Sequence, residues 1–152
     1  MKTKLTLFVA VLASVLFGMG CTSVPKPDVA NAVKWNGHWY AVLPEPCNWE
    51  TAIKRCERLG GHLAFVETEA ENEFIANLLK EKPAWLGGIK QETGWKWLNG
   101  KPITKLFFDK QRNQPDGRHG ENYLMTYFHE GQSGRWGDDV ERGPLWVICE
   151  WE

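Results

Sequence analysis

Apolar residues recur at helical spacing through Trp49, Ala52, Ile53, Cys56 and Leu59, and Gly60-Gly61 ends the run with residues that enter the left-handed backbone without a Cβ penalty. Asn48 is placed to cap the start of this helix. The chain on either side reads as extended. His38-Trp39-Tyr40-Ala41-Val42-Leu43 suits a strand running into the turn signal Pro44-Glu45-Pro46, and His62-Leu63-Ala64-Phe65-Val66 is a short apolar strand. Thr68 and Glu71 form a capping-box signature for a second helix reaching about Lys80, with Phe74, Ile75, Leu78 and Leu79 as its core stripe and Pro83 closing it.

Beyond Trp85-Leu86-Gly87-Gly88-Ile89 the signals turn to β. Gly94-Trp95-Lys96-Trp97-Leu98-Asn99-Gly100 alternates large apolar with polar residues and turns at Asn99-Gly100. Residues 105–139 are dense in Gly, Asp, Asn, Gln and Arg, broken by one strand candidate over 123–128; long irregular segments in compact domains are usually functional. A last strand, Leu145-Trp146-Val147-Ile148-Cys149-Glu150-Trp151, carries the last cysteine. Trp49, Trp85, Trp97, Trp136 and Trp146 are expected in the core because each buries a large area, with Trp151 at its edge and Trp95 open to either placement.

The start of the chain has the layout of an export signal. Lys2 and Lys4 precede an apolar run over residues 5–17 interrupted only by Thr6 and Ser14. That run falls short of the roughly 20 apolar residues that span a bilayer. The sequence Leu16-Phe17-Gly18-Met19-Gly20-Cys21-Thr22-Ser23 is similar to a bacterial lipoprotein signal, with Cys21 as the acylated first residue. Gly20 fits that pattern, whereas Gly18 stands where an aliphatic residue is usual. Stable anchoring would take more than one acyl chain. The expected organisation is a signal peptide over 1–20, a lipid-anchored linker over 21–33 and a folded domain over 34–152. The expected location is membrane-anchored, periplasmic or on the cell surface, and secreted if Cys21 is cleaved past without acylation.

With 43% hydrophobic residues and 9 Trp the chain has enough apolar material for a single core, which excludes a disordered protein. A net charge of −1 with no basic run excludes nucleic acid as a partner. Cysteines stand at 21, 47, 56 and 149, where the default outside the cytoplasm is a disulfide, and three pairings are open. Enzyme classes find little support. Ser133 is the only serine beyond the linker and lacks a G-x-S-x-G setting, and no histidine lies in H-E-x-x-H. His38 and His62 with Cys47 and Cys56 lack zinc-finger spacing.

In order and spacing, residues 35–152 resemble the C-type lectin domain family. The carrying pieces are Trp49-x-x-Ala52-x-x-x-Cys56-x-x-x-Gly60-Gly61-His62-Leu63-Ala64, Glu71 and Phe74, Trp85-Leu86-Gly87-Gly88, Trp97-Leu98-Asn99-Gly100, Gln114-Pro115-Asp116, Glu121-Asn122, Trp136-Gly137-Asp138 and Ile148-Cys149-Glu150. The resemblance implies an α+β fold with two helices, small antiparallel sheets and a long irregular loop region. It also implies a disulfide between Cys56 and Cys149. The family's usual second disulfide has no counterpart, since Tyr123 stands where its first cysteine would be, leaving Trp136, Tyr123 and a metal to hold the loop; Cys47 has no assigned partner.

In sugar-binding members of the family a Ca2+ ion is held by oxygen ligands, as suits a hard cation, and the sugar completes the shell with two hydroxyls. Carried onto this chain, Gln114 and Asp116 supply side-chain oxygens aimed by a cis Pro115, Glu121 a carboxylate, and Asp138 a carboxylate and a carbonyl; the same four residues would bind the carbohydrate. Gly137 replaces an expected asparagine, with Asp139 as a substitute one residue on. Gln-Pro-Asp resembles the galactose-type motif, and His119 is the only ring offered in Gly117-Arg118-His119-Gly120, a segment read mainly as a solvated turn. The function implied is a calcium-dependent carbohydrate-binding module with a glycan ligand, anchored at a bacterial membrane. Its alternative is a calcium-independent module of the same fold that binds a protein partner. Glu121 with Asp138 as a glycosidase pair would compete for the same ligands, so no enzymatic activity is expected.

Overall fold

The computed structural model describes residues 24–129, 131–141 and 143–152. The signal over 1–20 and the acylation expected at Cys21 lie outside the described residues. In chain order the elements are β1 (Val33–Trp35), β2 (His38–Cys47), α1 (Trp49–Arg58), β3 (His62–Leu63), α2 (Glu69–Leu79), β4 (Ala84–Gln91), β5 (Gly94–Trp97), β6 (Tyr123–His129), β7 (Gln132–Asp139) and β8 (Leu145–Trp151). The sheet runs β1-β2-β8-β4-β6-β7, with β3 on β8 and β5 on β4. This is the α+β arrangement the resemblance implied. β8 is its axis, antiparallel to β2 and parallel to β4 through Ala84↔Trp146 and Trp85↔Val147.

The helices follow from local chemistry. Asn48 Oδ1 accepts from Thr51 N at 3.0 Å, closing the start of α1. At its end Gly60 has φ 74°, Gly60 N donates to Glu57 O at 2.9 Å and Gly61 N to Cys56 O at 3.0 Å, the paired bonds of a Schellman stop. In α2, Thr68 Oγ1 accepts from Glu71 N at 3.1 Å, as the capping box predicts. The Glu71 carboxylate instead reaches one residue further back, to Glu67 N at 2.8 Å.

Three differences from the sequence expectation have physical reasons. β2 continues past Leu43 to Cys47, because beyond Tyr40 only β8 pairs with it and the prolines lose no bond on the open side; an irregularity falls between Leu43 and Cys47. β7 lies within the segment expected to be irregular, pairing with β6 from Tyr123↔Asp139 to His129↔Gln132. The stretch expected to be a tether packs back: Trp39 Nε1 donates to Val24 O at 3.0 Å and Asn31 Nδ2 to Val42 O at 2.7 Å, while Val24, Val29 and Ala32 lie on the core. Three apolar side chains in that stretch are shielded there rather than left in water.

Two apolar clusters fill the interior. Trp97, Trp136, Leu86, Leu124 and Ile148 belong to one, and Trp49, Trp85, Cys56, Cys149 and Trp151 to the other. Trp95 is half-buried, its ring 5.5 Å from that of Phe108, and Trp146 is half-buried beneath Lys82. Cys56 and Cys149 are fully buried neighbours. The structure holds Cys47, Cys56 and Cys149 as free thiols, so the expected pair is present as a contact and not as a bond. The hydrogen bond with Cys149, and then burial, push the Cys56 thiol far above its ordinary range.

Asn72 makes the connection on which the loop face depends. Its Oδ1 accepts from Trp136 Nε1 at 2.9 Å and its Nδ2 donates to Gly134 O at 2.9 Å, tying α2 to β7. Asn72→Ala will strand two buried polar groups and cost about 2–4 kcal/mol, read from denaturant unfolding; a cost under about 0.5 kcal/mol would show that water replaces the amide.

Candidate functional site

The long loop is fastened from below. Trp136 N donates to Phe107 O at 3.0 Å and Asp109 N to Trp136 O at 2.9 Å, so the loop enters the sheet edge beside β7. Asp109, only 2% exposed, accepts from Gln111 N at 3.0 Å, Arg112 N at 3.3 Å and Tyr127 Oη at 3.1 Å. Burial, then the Asp109 carboxylate, push the Tyr127 phenol up to about 12. Asp109 does the holding expected of a second disulfide, and sequence reasoning missed it. Its only signal was an aspartate before a short polar turn. Tyr123, expected to help hold the loop, packs against Trp49 with ring centroids 4.5 Å apart.

From this anchor the chain passes through a cis Gln114-Pro115 bond, as expected, to the four residues singled out from the sequence. Three come together: carboxylate oxygens of Asp116, Glu121 and Asp138 lie within 4.8 Å of one another. Asp138, 7% exposed, accepts from Asp116 N through Oδ1 and Gly117 N through Oδ2, each at 3.0 Å. Arg118 N points between the other two, at 3.3 Å from Asp116 Oδ1 and 3.0 Å from Glu121 Oε2, and Arg118 Nε lies 3.3 Å from Asp116 Oδ2. The solvated turn expected at Arg118 is therefore a 3₁₀ turn that supports the cluster from its backbone.

Gln114 sits differently from the sequence expectation. Its Oε1 accepts from Asp138 N at 3.1 Å, spending the amide oxygen on the backbone of β7. A Cβ at position 137 would lie 2.9 Å from that oxygen and 3.1 Å from Tyr127 Cε1, so Gly137 leaves the room Gln114 occupies. Asp139 does not replace the missing ligand. Its Oδ1 accepts from Val140 N at 2.7 Å, and it is outside the converging set.

Electrostatics ties the three acids together. Glu121 is raised above the ordinary glutamate range by desolvation and then by its hydrogen bond with Asp116; Asp116 is lowered through that same bond. One proton shared between the two explains the opposite directions. Three converging carboxylates, two of them competing for one proton, offer the oxygen donors a hard divalent cation takes, so the donor set fits calcium. Beside the cluster, Gln114, Gly137, Asp138 and Asp139 form the polar side of a concavity of about 430 Å³. Tyr127, Met125 and Phe128 supply its apolar side. Sequence reasoning offered only His119 as a ring; the alternation of Met125 and Tyr127 along one strand face was the signal for part of this wall.

Carbon-13 NMR titration of the side-chain carboxyls will place Glu121 above the ordinary midpoint of about 4.3 and Asp116 below about 3.9 in the absence of divalent ions. The reverse order would mean that no proton is shared.

The Lectin C-type domain family model matches residues 45–151. Asialoglycoprotein receptor 1 of Mus musculus is 31% identical over 124 residues, covering 79% of this chain and 43% of the relative. C-type lectin domain family 10 member A of Homo sapiens is 30% identical over 107 residues, covering 68% and 33%. The chain thus spans less than half the length of these relatives. Both are mammalian, which gives the bacterial setting no support. Among solved structures, the carbohydrate-recognition domain of the mouse scavenger receptor C-type lectin superposes with TM-score 0.73 at 25% identity, covering 82% of this chain and 97% of that one. A calcium-independent type II antifreeze protein shares the fold at TM-score 0.71 and 19% identity, covering 81% and 92%.

Proposed function

The chain belongs to the C-type lectin domain family, and on that premise we propose that it is a calcium-dependent carbohydrate-binding module with galactose-type preference, exported and held at a membrane through an acylated Cys21. The observation that carries this reading is the convergence of Asp116, Glu121 and Asp138 within 4.8 Å, with Asp138 also lining a concavity that has polar and aromatic residues in its wall. These residues would hold the ion, with Gln114 joining them by releasing Asp138 N. The ion would draw sugar hydroxyls into its shell, and Tyr127 and Phe128 would meet the apolar face of the ring. The galactose preference rests on Gln114-Pro115-Asp116. Export and anchoring rest on Lys2, Lys4 and the apolar run before Cys21. The bacterial surface belongs to this reading through the lipoprotein-like signal alone.

One observation favours the calcium-independent alternative, in which the same face binds a protein. Asp138 and Gln114 already satisfy backbone amides without a metal, so the loop has internal support of its own. Calcium titration by calorimetry separates the two. Saturable one-to-one binding is expected, weakened about tenfold or more by Glu121→Gln and more severely by Asp138→Asn, with chelator-sensitive binding on a glycan array. Absence of heat up to millimolar calcium would overturn the calcium reading and leave the protein-binding one. Because Glu121 is raised, protons compete for it early: calcium affinity will fall as pH drops into the weakly acid range and recover above it.

The reading also includes a Cys56–Cys149 bond in the exported protein, since the two thiols touch inside the second core cluster. Closing so long a loop contributes roughly 4.6 kcal/mol on the chain-entropy account. Cys56→Ser will lower the melting temperature of air-oxidised protein far more than Cys47→Ser, and equal losses would refute the pairing.

A further inference from the structure

Although no basic run occurs in the sequence, the fold gathers Lys26, Lys34, Arg55 and Arg58 around the segment that precedes β1. Lys34 of β1 stands opposite Trp39 of β2, and Lys26 reaches the same indole, the two ammonium groups lying 5.7 and 5.9 Å from its centroid. From there the segment runs on to a concavity of about 390 Å³, where Asp28 and Val29 meet Arg55, Arg58 and Leu59 at the end of α1. Asp28 is the one acid lining it. Leu59 is 41% exposed beside the two arginines.

These cations are not neutralised within the chain. Among the described residues none of the four is in an ion pair. Arg55 donates to the carbonyls of Pro44 and Glu45, which fix its guanidinium and leave its charge. The buried acid of this edge points elsewhere: Glu150 pairs with Tyr40 and Trp151 with Trp39, and successive side chains alternate, so Glu150 falls on the other face of the sheet.

The start of the segment says what meets this face. Val24 O accepts from Trp39 Nε1, so the chain is fastened to the fold three residues after Cys21, and three residues reach at most about 11 Å. The Debye length at physiological salt is about 8 Å. A bilayer that holds residue 21 therefore stands within electrostatic range of the cations. Resting on the anchoring reading above, we infer that this face docks on anionic phospholipid headgroups, with the four cations meeting phosphate and Leu59 entering the interface. Basic residues close to an anionic leaflet are each attracted to it, and such a patch is the usual second signal beside a lipid chain. The anchor then orients the domain as well as tethering it. Asp138 on β7 is four strand steps from β2, about 19 Å at the ordinary strand spacing, so the loop acids stay clear of the headgroups.

The test is lysine acetylation read by mass spectrometry on the exported chain as purified, reconstituted with vesicles of phosphatidylcholine alone or with about 30% phosphatidylglycerol. Lys105 and Lys110, exposed in the long loop, serve as references within the same molecule. Relative to them, Lys34 will react roughly fivefold or more slowly on the anionic vesicles only, and about 0.5 M salt will abolish the protection. The double variant Lys26→Glu/Arg58→Glu, at two exposed positions, will return Lys34 to its rate on neutral vesicles. Equal Lys34 rates on both vesicles, protection that survives the double reversal, or equal protection of Lys105 and Lys110 would each overturn the proposal. The mass of the N-terminal peptide reports acylation of Cys21 separately. Protection without acylation would remove the anchor and keep the docking face; acylation without protection would do the opposite.

Discussion

The indole of Trp136 is fully buried, and its N–H would be a costly orphan there without the Asn72 amide, which also takes up the Gly134 carbonyl. Around that ring the edges of Phe107, Phe108 and Trp97 pack at steep angles, with centroids 5.0, 6.3 and 6.0 Å away. The backbone of Trp136 bonds to Phe107 and Asp109 in both directions. One residue therefore fixes β7 to α2 and the long loop to β7. The loop acids inherit their positions from it: Asp138 is two residues along the same strand, and Gln114 follows Asp109 through the bond from Gln114 N to Asp109 O at 2.9 Å.

Gly137 is the clearest case of a departure from the family pattern with a geometric consequence. With no side chain at 137, the Gln114 amide folds inward against β7, where it satisfies Asp138 N. The place a side chain at 137 would take beside Tyr127 Cε1 is therefore held by the Gln114 amide. The face presents a glutamine engaged with β7 next to the three converging acids.

How much of this was legible in the sequence follows the range of the interactions. Asn48, Thr68 and Gly60 act within one helical turn, and their caps stand where the sequence placed them. The acids at 116, 121 and 138 were found through a family motif, since nothing in their own spacing shows that a strand brings Asp138 across to Asp116. Asn72 was invisible because its partners are 62 and 64 residues away, and β7 because Gln132-Ser133-Gly134-Arg135 shows no alternation and is held by pairing with β6. Lone side-chain-to-backbone bonds such as those of Asp109 leave no periodic trace. The linker was misjudged because composition shows that residues 22–33 lack periodicity but not that Trp39 needs covering.

Two acid clusters at opposite edges of one sheet face different physical situations. In the loop, Asp116 keeps 21% of its side chain exposed and its neighbours are backbone amides of a short turn, so charge there is negotiated with solvent and with any ion that arrives. At the other edge Glu150 is 2% exposed, hydrogen-bonded to Phe65 N, and flanked by Tyr40 and His38 on a strand that carries Cys149. Desolvation, the largest influence, raises Glu150, with His38 and Phe65 N opposing it. A carboxylate so placed is retained against a lasting desolvation cost, which an isosteric apolar residue would avoid. Phe65 N, the Tyr40 hydroxyl and His38 Nδ1 offset part of that cost, each within hydrogen-bond distance of the Glu150 carboxylate, much as the amides of residues 116 and 117 do for the buried Asp138.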